Sequence, residues 1–247
     1  MNPLIIIPAR MASTRLPGKP LADIGGAAMI VRVCEKAASA NIGPVLVAAA
    51  ENEIVEAVAA AGYKAVLTDP ALPSGSDRVW AAAQAFDPGG DYDVLINLQG
   101  DMPTLDPAAL TDVLRPLAEP ACDIATLASV ITHPEERDDP NVVKAILALK
   151  DGETSGRALY FTRAAAPTGD GPLWHHVGVY AYRRASLQRF VSAPPSPLEQ
   201  RESLEQLRAL EMGMQLGCTV LTGEPPNGVD TPADLEAARE IYRRLGA

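Results

Sequence analysis

Cysteine is scarce in this chain: its three copies, Cys34, Cys122 and Cys218, are odd in number and far apart. That spacing excludes a disulfide framework and a zinc-ligand array, and it fits a reducing cytoplasm. Cations are also short, with 21 Lys and Arg against 31 Asp and Glu and a net charge of -10. Such a balance argues against DNA, RNA or an anionic membrane surface as the main partner. No apolar run approaches the ~20 residues of a membrane span. The Leu4–Ile7 run near the start is too short, and lacks the basic flank, for a secretory leader, so none is expected. Internal repeats and low-complexity segments are missing as well.

Two common phosphate-binding fingerprints are absent. Gly18-Lys19 is followed by Pro20 instead of Ser or Thr, and position 13, five residues before Gly18, is Ser, so no Walker A loop is present. No Gly-x-Gly-x-x-Gly follows the first strand, which weighs against a nicotinamide oxidoreductase.

What is present is a regular alternation of apolar runs and helical patterns in a 247-residue chain that is 47% hydrophobic. That length and composition suit a large α/β domain, or a core with a smaller lobe. Leu4–Ile7, Pro44–Ala50, Ala65–Thr68 and Asp93–Leu98 read as strands. Ala27–Ser39, Glu51–Ala61 and Gly75–Phe86 read as the helices between them, and Asp106-Pro107 opens another. Right-handed βαβ units and a mostly parallel sheet follow. The texture then changes. Ile124–Ile131, Val142–Leu149 and His175–Arg183 are strand-like with fewer helices between them, which suggests an extension of the sheet or an arm. Ala193–Pro197 is a connector, and Leu198, Leu204, Leu207 and Leu210 then follow at helical spacing. A last strand near Cys218–Leu221 precedes a helix from Thr231-Pro232 to Leu245. We divide the single domain into halves, 1–105 and 106–247.

Four segments carry chemistry. Arg10–Lys19 holds three cations and no acid directly after the first strand, so its local charge opposes the global one. A basic Gly/Pro loop at the carboxyl end of a strand is where an α/β sheet binds an anionic ligand, and a small polyphosphate fits it better than a polymer. Asp101, in Leu98-Gln99-Gly100-Asp101, lies just past the fourth strand, where a carboxylate can hold Mg²⁺ against a phosphate or merely cap a turn. Asp230 is a second such carboxylate, with a helix-capping role as its alternative. Ser74-Gly75-Ser76-Asp77-Arg78 could reach a base or ribose, or be an ordinary helix start.

The order of segments IIIPARMASTRLPGKPLADIGG, SGSDR, INLQGDMP, DPNVVK, ALYFTR, HVGVYAYRR, SPLEQRESLEQLR and GVDTPADLE resembles the 3-deoxy-manno-octulosonate cytidylyltransferase (CMP-Kdo synthetase) family over nearly the whole chain. The related sialic-acid cytidylyltransferases typically lack the TRLPGKP run. The resemblance implies a three-layer α/β/α nucleotidyltransferase, Rossmann-like fold with a smaller substrate and dimerisation arm. It also implies a homodimer, and transfer of CMP from CTP to the anomeric hydroxyl of Kdo with release of pyrophosphate, for lipopolysaccharide assembly. By the same resemblance Arg10, Arg15 and Lys19 neutralise the triphosphate. Asp101 and Asp230 hold Mg²⁺, and a second Mg²⁺ can assist the leaving group. Ser74 and Arg78 are nucleotide candidates, and Gln99 sits between nucleotide and sugar. Arg163, His176, Tyr180, Glu205 and Gln206 are assigned to the sugar; Tyr180 as a plain strand aromatic and Glu205 as a solvated helix charge are their alternatives.

The chain departs from the family pattern at Met102, where Glu usually follows the metal aspartate, at His175, where a basic residue is frequent, and at Thr168, where an aromatic frequently follows the proline. These departures bear on sugar preference, leaving 8-amino-Kdo or another acidic sugar as alternatives. A non-catalytic nucleotide-binding homologue would be expected to lose the cations or the carboxylates, and all five remain.

Overall fold

The structure is a computed structural model that describes residues 1–13, 15–223 and 228–246; Thr14 of the basic loop lies outside the described residues. In chain order the elements are β1 (Pro3–Ala9), β2 (Asp23–Ile24), β3 (Ala27–Ala28), α1 (Met29–Ser39), β4 (Val45–Ala49), α2 (Asn52–Ala60), β5 (Lys64–Leu67), α3 (Gly75–Phe86), β6 (Val94–Asn97) and α4 (Ala108–Asp112). Then follow β7 (Ile124–Val130), β8 (Lys144–Ala148), β9 (Ser155–Thr162), β10 (Trp174–Arg183), α5 (Arg184–Val191), α6 (Pro197–Glu202), α7 (Gln206–Glu211), β11 (Leu216–Leu221) and α8 (Pro232–Arg244). They form two compact units, Met1–Leu110 with Pro226–Ala247, and Thr111–Pro225. The C-terminal helix therefore belongs to the first unit, although it follows the second in sequence.

In the first unit β1 pairs in parallel with β4 on one side and β6 on the other, and β4 pairs in parallel with β5. Leu4, Ile5, Ile6 and Ile7 are consecutive in β1 and all fully buried, as are Leu46–Ala49 in β4. Side chains of a strand alternate between faces, so an unbroken buried run requires cover on both faces. That is the three-layer α/β arrangement expected from the sequence. α1 supplies part of the cover by burying Met29, Ile30, Val33, Cys34 and Ala37 along one stripe. It begins two residues later than its apolar pattern suggests, because Ala27 and Ala28 pair with Ile24 and Asp23 in a small hairpin. α8 packs on that hairpin: Leu235, Ala238 and Tyr242 form a cluster with Ile24, Met29 and Val229.

The second unit is built differently. β7 pairs antiparallel with β10 and parallel with β11, β9 pairs antiparallel with β11 and β8, and β10 also pairs antiparallel with β8. The mainly parallel expectation thus describes the first unit, and β11–β7 is the one parallel pairing among these. β9 and α5 have no counterpart in the sequence reading. The helical run after Ala193 is two helices, because Ser203 turns the chain with φ 54 between α6 and α7. The helix opened by Asp106-Pro107 is only five residues long.

The parallel order puts the carboxyl ends of β1, β4, β5 and β6 on one edge of the first unit's sheet, which is where open α/β sheets bind ligands. α8 is locked beneath that edge: the Tyr242 hydroxyl donates to the Pro103 carbonyl (2.7 Å), and its ring lies under the Arg32 guanidinium, 4.7 Å from the ring centre. Tyr242→Phe removes one buried hydrogen bond and is expected to cost about 1 kcal/mol, while Tyr242→Ala also empties the ring's place and costs about 3–5 kcal/mol. Urea unfolding of the two variants checks the ordering.

Candidate functional site

The loop after β1 is held in shape by its own backbone and by a neighbouring acid. Gly18 takes a left-handed φ of 68, and its N–H donates to the Met11 carbonyl (3.4 Å). Lys19–Leu21 then closes a 3₁₀ turn, with Lys19 N–H on Leu16 O (3.2 Å) and Leu21 N–H on Gly18 O (2.9 Å). The Met11 N–H donates to Glu51 Oε2 (2.9 Å), so Glu51, two residues past β4 at the cap of α2, fixes the start of the loop following β1. The sequence reading did not single out Glu51. It stands just past a strand's carboxyl end, as Asp101 does, and that position was the available signal.

This loop forms one wall of a cavity of about 730 Å³ on the carboxyl edge. Arg10, Arg15, Lys19, Ser74, Arg78, Gln99, Asp101 and Asp230 all line it, together with Pro8, Gly75 and Gly100. Four cations face two carboxylates there, a local excess of positive charge on a protein of net charge -10. Gly100 is required by space: a Cβ would come 2.9 Å from the Pro8 carbonyl oxygen.

The carboxylates are gathered by the cations. Lys19 Nζ donates to Asp101 Oδ2 (2.8 Å) and Asp230 Oδ1 (3.0 Å), and Arg15 Nη2 donates to Asp230 Oδ2 (3.0 Å). Burial depresses the Lys19 ammonium pKa, but Asp101 and Asp230 outweigh it and the net shift is upward. The Lys19–Asp101 pair is the sheltered one, at 16% and 26% side-chain exposure, while Arg15 is 64% exposed and its pair with Asp230 contributes little to stability. Asp230 is aimed from the residue before the α8 cap. Thr231 is the cap, in a reciprocal box with Asp234, and Val229 N–H donates to Asp101 O (2.8 Å), tying the two acidic segments together.

Ser74 and Arg78 each combine structure with exposure to the cavity. Ser74 caps α3, accepting from Asp77 N–H (3.2 Å) and donating its hydroxyl proton to Asp77 Oδ2 (2.7 Å). Arg78 is almost fully buried and donates through Nη1 to Thr68 Oγ1 (2.6 Å) and the Asp69 carbonyl (3.1 Å). Burial lowers its pKa. Gln99 is steered by Asn97, whose Oδ1 accepts from Gln99 Nε2 (3.3 Å). Met102, immediately after Asp101, is turned into the core.

The remaining candidates lie in the second unit. Arg163, just past β9, spreads its guanidinium over three backbone carbonyls: Glu202 (2.9 Å), Pro140 (2.8 Å) and Ser203 (3.3 Å). The Glu202 carboxylate is taken by Thr162 Oγ1 (2.9 Å) and Arg163 N–H (3.0 Å), which leaves the guanidinium charge facing neutral acceptors. Lys144, fully buried, donates to the carbonyls of Asp139 (2.7 Å), Val142 (2.6 Å) and Arg163 (3.3 Å). It ends the DPNVVK segment and shapes the approach to Arg163.

His176 and Tyr180 belong to a row of rings: Phe161, His176, Tyr180, Tyr182 and Phe190 follow one another at centroid spacings of 4.8, 5.5, 5.9 and 6.1 Å. An irregularity in β10 between Val177 and Tyr180 is filled by the Thr126 hydroxyl, which lies 2.9 Å from Val179 O and 3.0 Å from His176 Nε2. A hydroxyl has one proton, so donation to Val179 makes His176 Nε2–H the donor to Thr126. Gln206 is buried at the start of α7 with its Nε2 unsatisfied, an open donor beside Glu205. Arg208 of the same LEQLR segment is structural: it grips both Glu199 carboxylate oxygens (2.8 and 2.6 Å) and stacks on Phe190. His175 sits 3.7 Å from Glu136, and Thr168 is exposed.

A basic loop and two carboxylates converging on the carboxyl edge of a parallel sheet define a nucleotide-binding α/β protein. Comparison with known proteins narrows the class: the chain belongs to the cytidylyltransferase family, whose sequence model matches residues 4–216. It is 60% identical over 247 residues to a 3-deoxy-manno-octulosonate cytidylyltransferase of Rhodospirillum centenum, covering 100% of this chain and 96% of that protein. It is 57% identical to the protein of the same name from Paramagnetospirillum magneticum, over 98% of each chain. A CMP:2-keto-3-deoxy-manno-octonic acid synthetase solved in complex with CTP superposes with a TM-score of 0.90 at 37% identity, over 99% of this chain and 100% of the other. A nucleotidyl transferase from Methanothermobacter, 16% identical with a TM-score of 0.63 over 99% of both chains, shares the fold.

His176 yields a pH prediction. Burial, aided by His175, pushes its pKa down from 6.5 to about 3, so the folded protein keeps the ring neutral while the unfolded chain protonates it. Its contribution to stability is complete above pH 6.5 and is lost as the pH falls from 6.5 towards 3, at about 1.4 kcal/mol per pH unit. His176→Gln is expected to remove this slope from a urea-unfolding series between pH 6.5 and 5. An unchanged slope in the variant counts against a buried neutral imidazole.

Proposed function

We propose that the chain transfers CMP from CTP to the anomeric C2 hydroxyl of 3-deoxy-manno-octulosonate, giving CMP-Kdo and pyrophosphate, with Mg²⁺ held by Asp101 and Asp230. The observation that carries the reading is the convergence of Arg10, Arg15, Lys19 and Arg78 with those two carboxylates around one cavity, in a chain full-length similar to enzymes named for that reaction. The relative solved with CTP extends it to the nucleotide.

The residues present fit the metal. Asp101 and Asp230 already share one cation, each with an oxygen within 3.0 Å of the Lys19 ammonium. Among the described residues no group of three or more His, Cys, Asp or Glu could form an all-protein cage. A cation that takes one or two carboxylates and completes its shell from phosphates and water is Mg²⁺. Bound there, it would supply Lewis-acid charge neutralisation at the α-phosphate and lower the pKa of a coordinated hydroxyl.

The rest is work for side chains. The C2 oxygen forms a bond to the α-phosphorus as the bond to the bridging oxygen of pyrophosphate breaks, and the hydroxyl proton leaves to solvent. Negative charge grows on the phosphoryl oxygens and the leaving group, where Arg10, Arg15 and Lys19 supply compensating positive charge. Ser74, Arg78 and Gln99 orient the nucleotide. Arg163, with its unneutralised guanidinium, takes the sugar carboxylate, while His176, Tyr180, Glu205 and Gln206 supply hydrogen bonds to its hydroxyls.

A cytoplasmic location fits three cysteines buried as free thiols, and among the described residues no helix is long and apolar enough to cross a membrane. The product would feed lipopolysaccharide assembly. Support for a homodimer through the second unit comes from exposed Val130 and Leu159 and an apolar depression lined by Leu149, Trp174, Val220 and Leu221. Light scattering on the eluting protein is expected to give about twice the 26.0 kDa chain mass.

The deciding experiment is pyrophosphate release from CTP and Mg²⁺ with Kdo, N-acetylneuraminate, 8-amino-Kdo or no sugar. Release with Kdo alone is expected, and Asp101→Asn should cut it about a hundredfold or more without loss of the folded state. Release only with another acidic sugar would move the specificity, and no release from protein that binds CTP would favour a non-catalytic homologue.

A further inference from the structure

Lys19 occupies a singular place in the cavity. Its ammonium lies between the two carboxylates, 2.8 Å from Asp101 and 3.0 Å from Asp230, in the position where a divalent cation would meet both. Arg15 takes the remaining Asp230 oxygen at 3.0 Å. Two positive groups thus neutralise two negative ones. The backbone on either side is pinned, by left-handed Gly18 and the following 3₁₀ turn on one strand of the loop and by the Val229–Asp101 hydrogen bond (2.8 Å) on the acidic side. The pairs are therefore a built feature of the site.

Resting on the metal reading above, we propose that Lys19 is a positioning residue for the metal carboxylates in addition to a phosphate contact. In the nucleotide-free protein its ammonium stands in for the divalent cation and keeps Asp101 and Asp230 converged, and it is exchanged for that cation when a polyphosphate enters. The charge balance sets the order. The lining carries four cations and two carboxylates, an excess of two positive charges, which a bare divalent cation would raise to four. A cation arriving with an ionised triphosphate lowers the excess instead, and the phosphates give the displaced ammonium a new partner within reach of its flexible stem. Coulomb repulsion alone therefore disfavours metal first and favours metal with nucleotide.

The test is Mn²⁺ binding, followed through the paramagnetic resonance of the free ion, with and without CTP and without sugar, so that turnover plays no part. The unaltered protein is expected to bind Mn²⁺ weakly alone and far more tightly with CTP. Lys19→Met and Lys19→Gln remove the charge and should each tighten Mn²⁺ binding to the nucleotide-free protein by about tenfold or more. Lys19→Arg keeps the charge and should leave that binding weak. Adding Asp101→Asn to Lys19→Met should abolish the gain. Unchanged or weaker Mn²⁺ affinity in both neutral variants, in protein where Asp101→Asn still weakens Mn²⁺–CTP binding, overturns the stand-in role alone. Asp101→Asn and Asp230→Asn that both retain full Mn²⁺–CTP binding overturn the metal reading and this inference with it.

Discussion

The parallel pairing of β1 with both β4 and β6 is the constraint on which the site depends. Register places Ile5 beside Val45 and beside Ile96, so the three strands end together, and their carboxyl ends deliver three chemically different segments to one edge. β1 delivers the basic loop, β4 delivers Glu51, and β6 delivers Gln99, Gly100 and Asp101. None of these segments is near another in sequence. The pairing survives because the strands are buried on both faces, and slipping by one residue would misplace every side chain in the layer. Close packing reaches the site itself at Gly100, where the Pro8 carbonyl leaves no room for a Cβ.

Electrostatics then separates the cavity from the rest of the surface. A chain of net charge -10 repels polyanions in general, yet the carboxyl edge concentrates Arg10, Arg15, Lys19 and Arg78 around a small volume. A compact anion small enough to enter that volume therefore meets a locally positive field. The carboxylates Asp101 and Asp230 do not cancel this field, because each is already engaged by a cation that a phosphate can recruit. In the second unit the logic differs: Lys144 and Arg163 are surrounded by backbone carbonyls, which hold a cation in place without removing its charge.

Much of the first unit was legible because its periodicities are strong and local. The helix over Gly75–Phe86 coincides with its pattern, and the strands differ from theirs by a residue or so at each end. The second unit was less legible for physical reasons. Ser155–Thr162 mixes Arg157 and Tyr160 with apolar residues and so lacks a clean alternation; the signal for it lay in Asp151-Gly152, a hairpin turn with Gly152 at φ 78 that joins it to β8. The break between α6 and α7 depends on Ser203 adopting a left-handed conformation that Gly or Asn would have announced. Ser74 illustrates the opposite difficulty: its capping role and its place in the cavity are both real, and the sequence reading had posed them as alternatives.

By itself the sequence determined the alternation of strands and helices, the basic loop, the two acidic segments and the family, because each is written in contiguous residues. Tertiary structure alone decided which charges meet. That Lys19 bridges Asp101 and Asp230 across 82 and 211 residues, that Glu51 holds the loop through Met11, and that α8 returns to the first unit are consequences of strand order and packing. Those distances close only when the sheet assembles, since no local pattern encodes a contact whose partners are brought together by the burial of other residues.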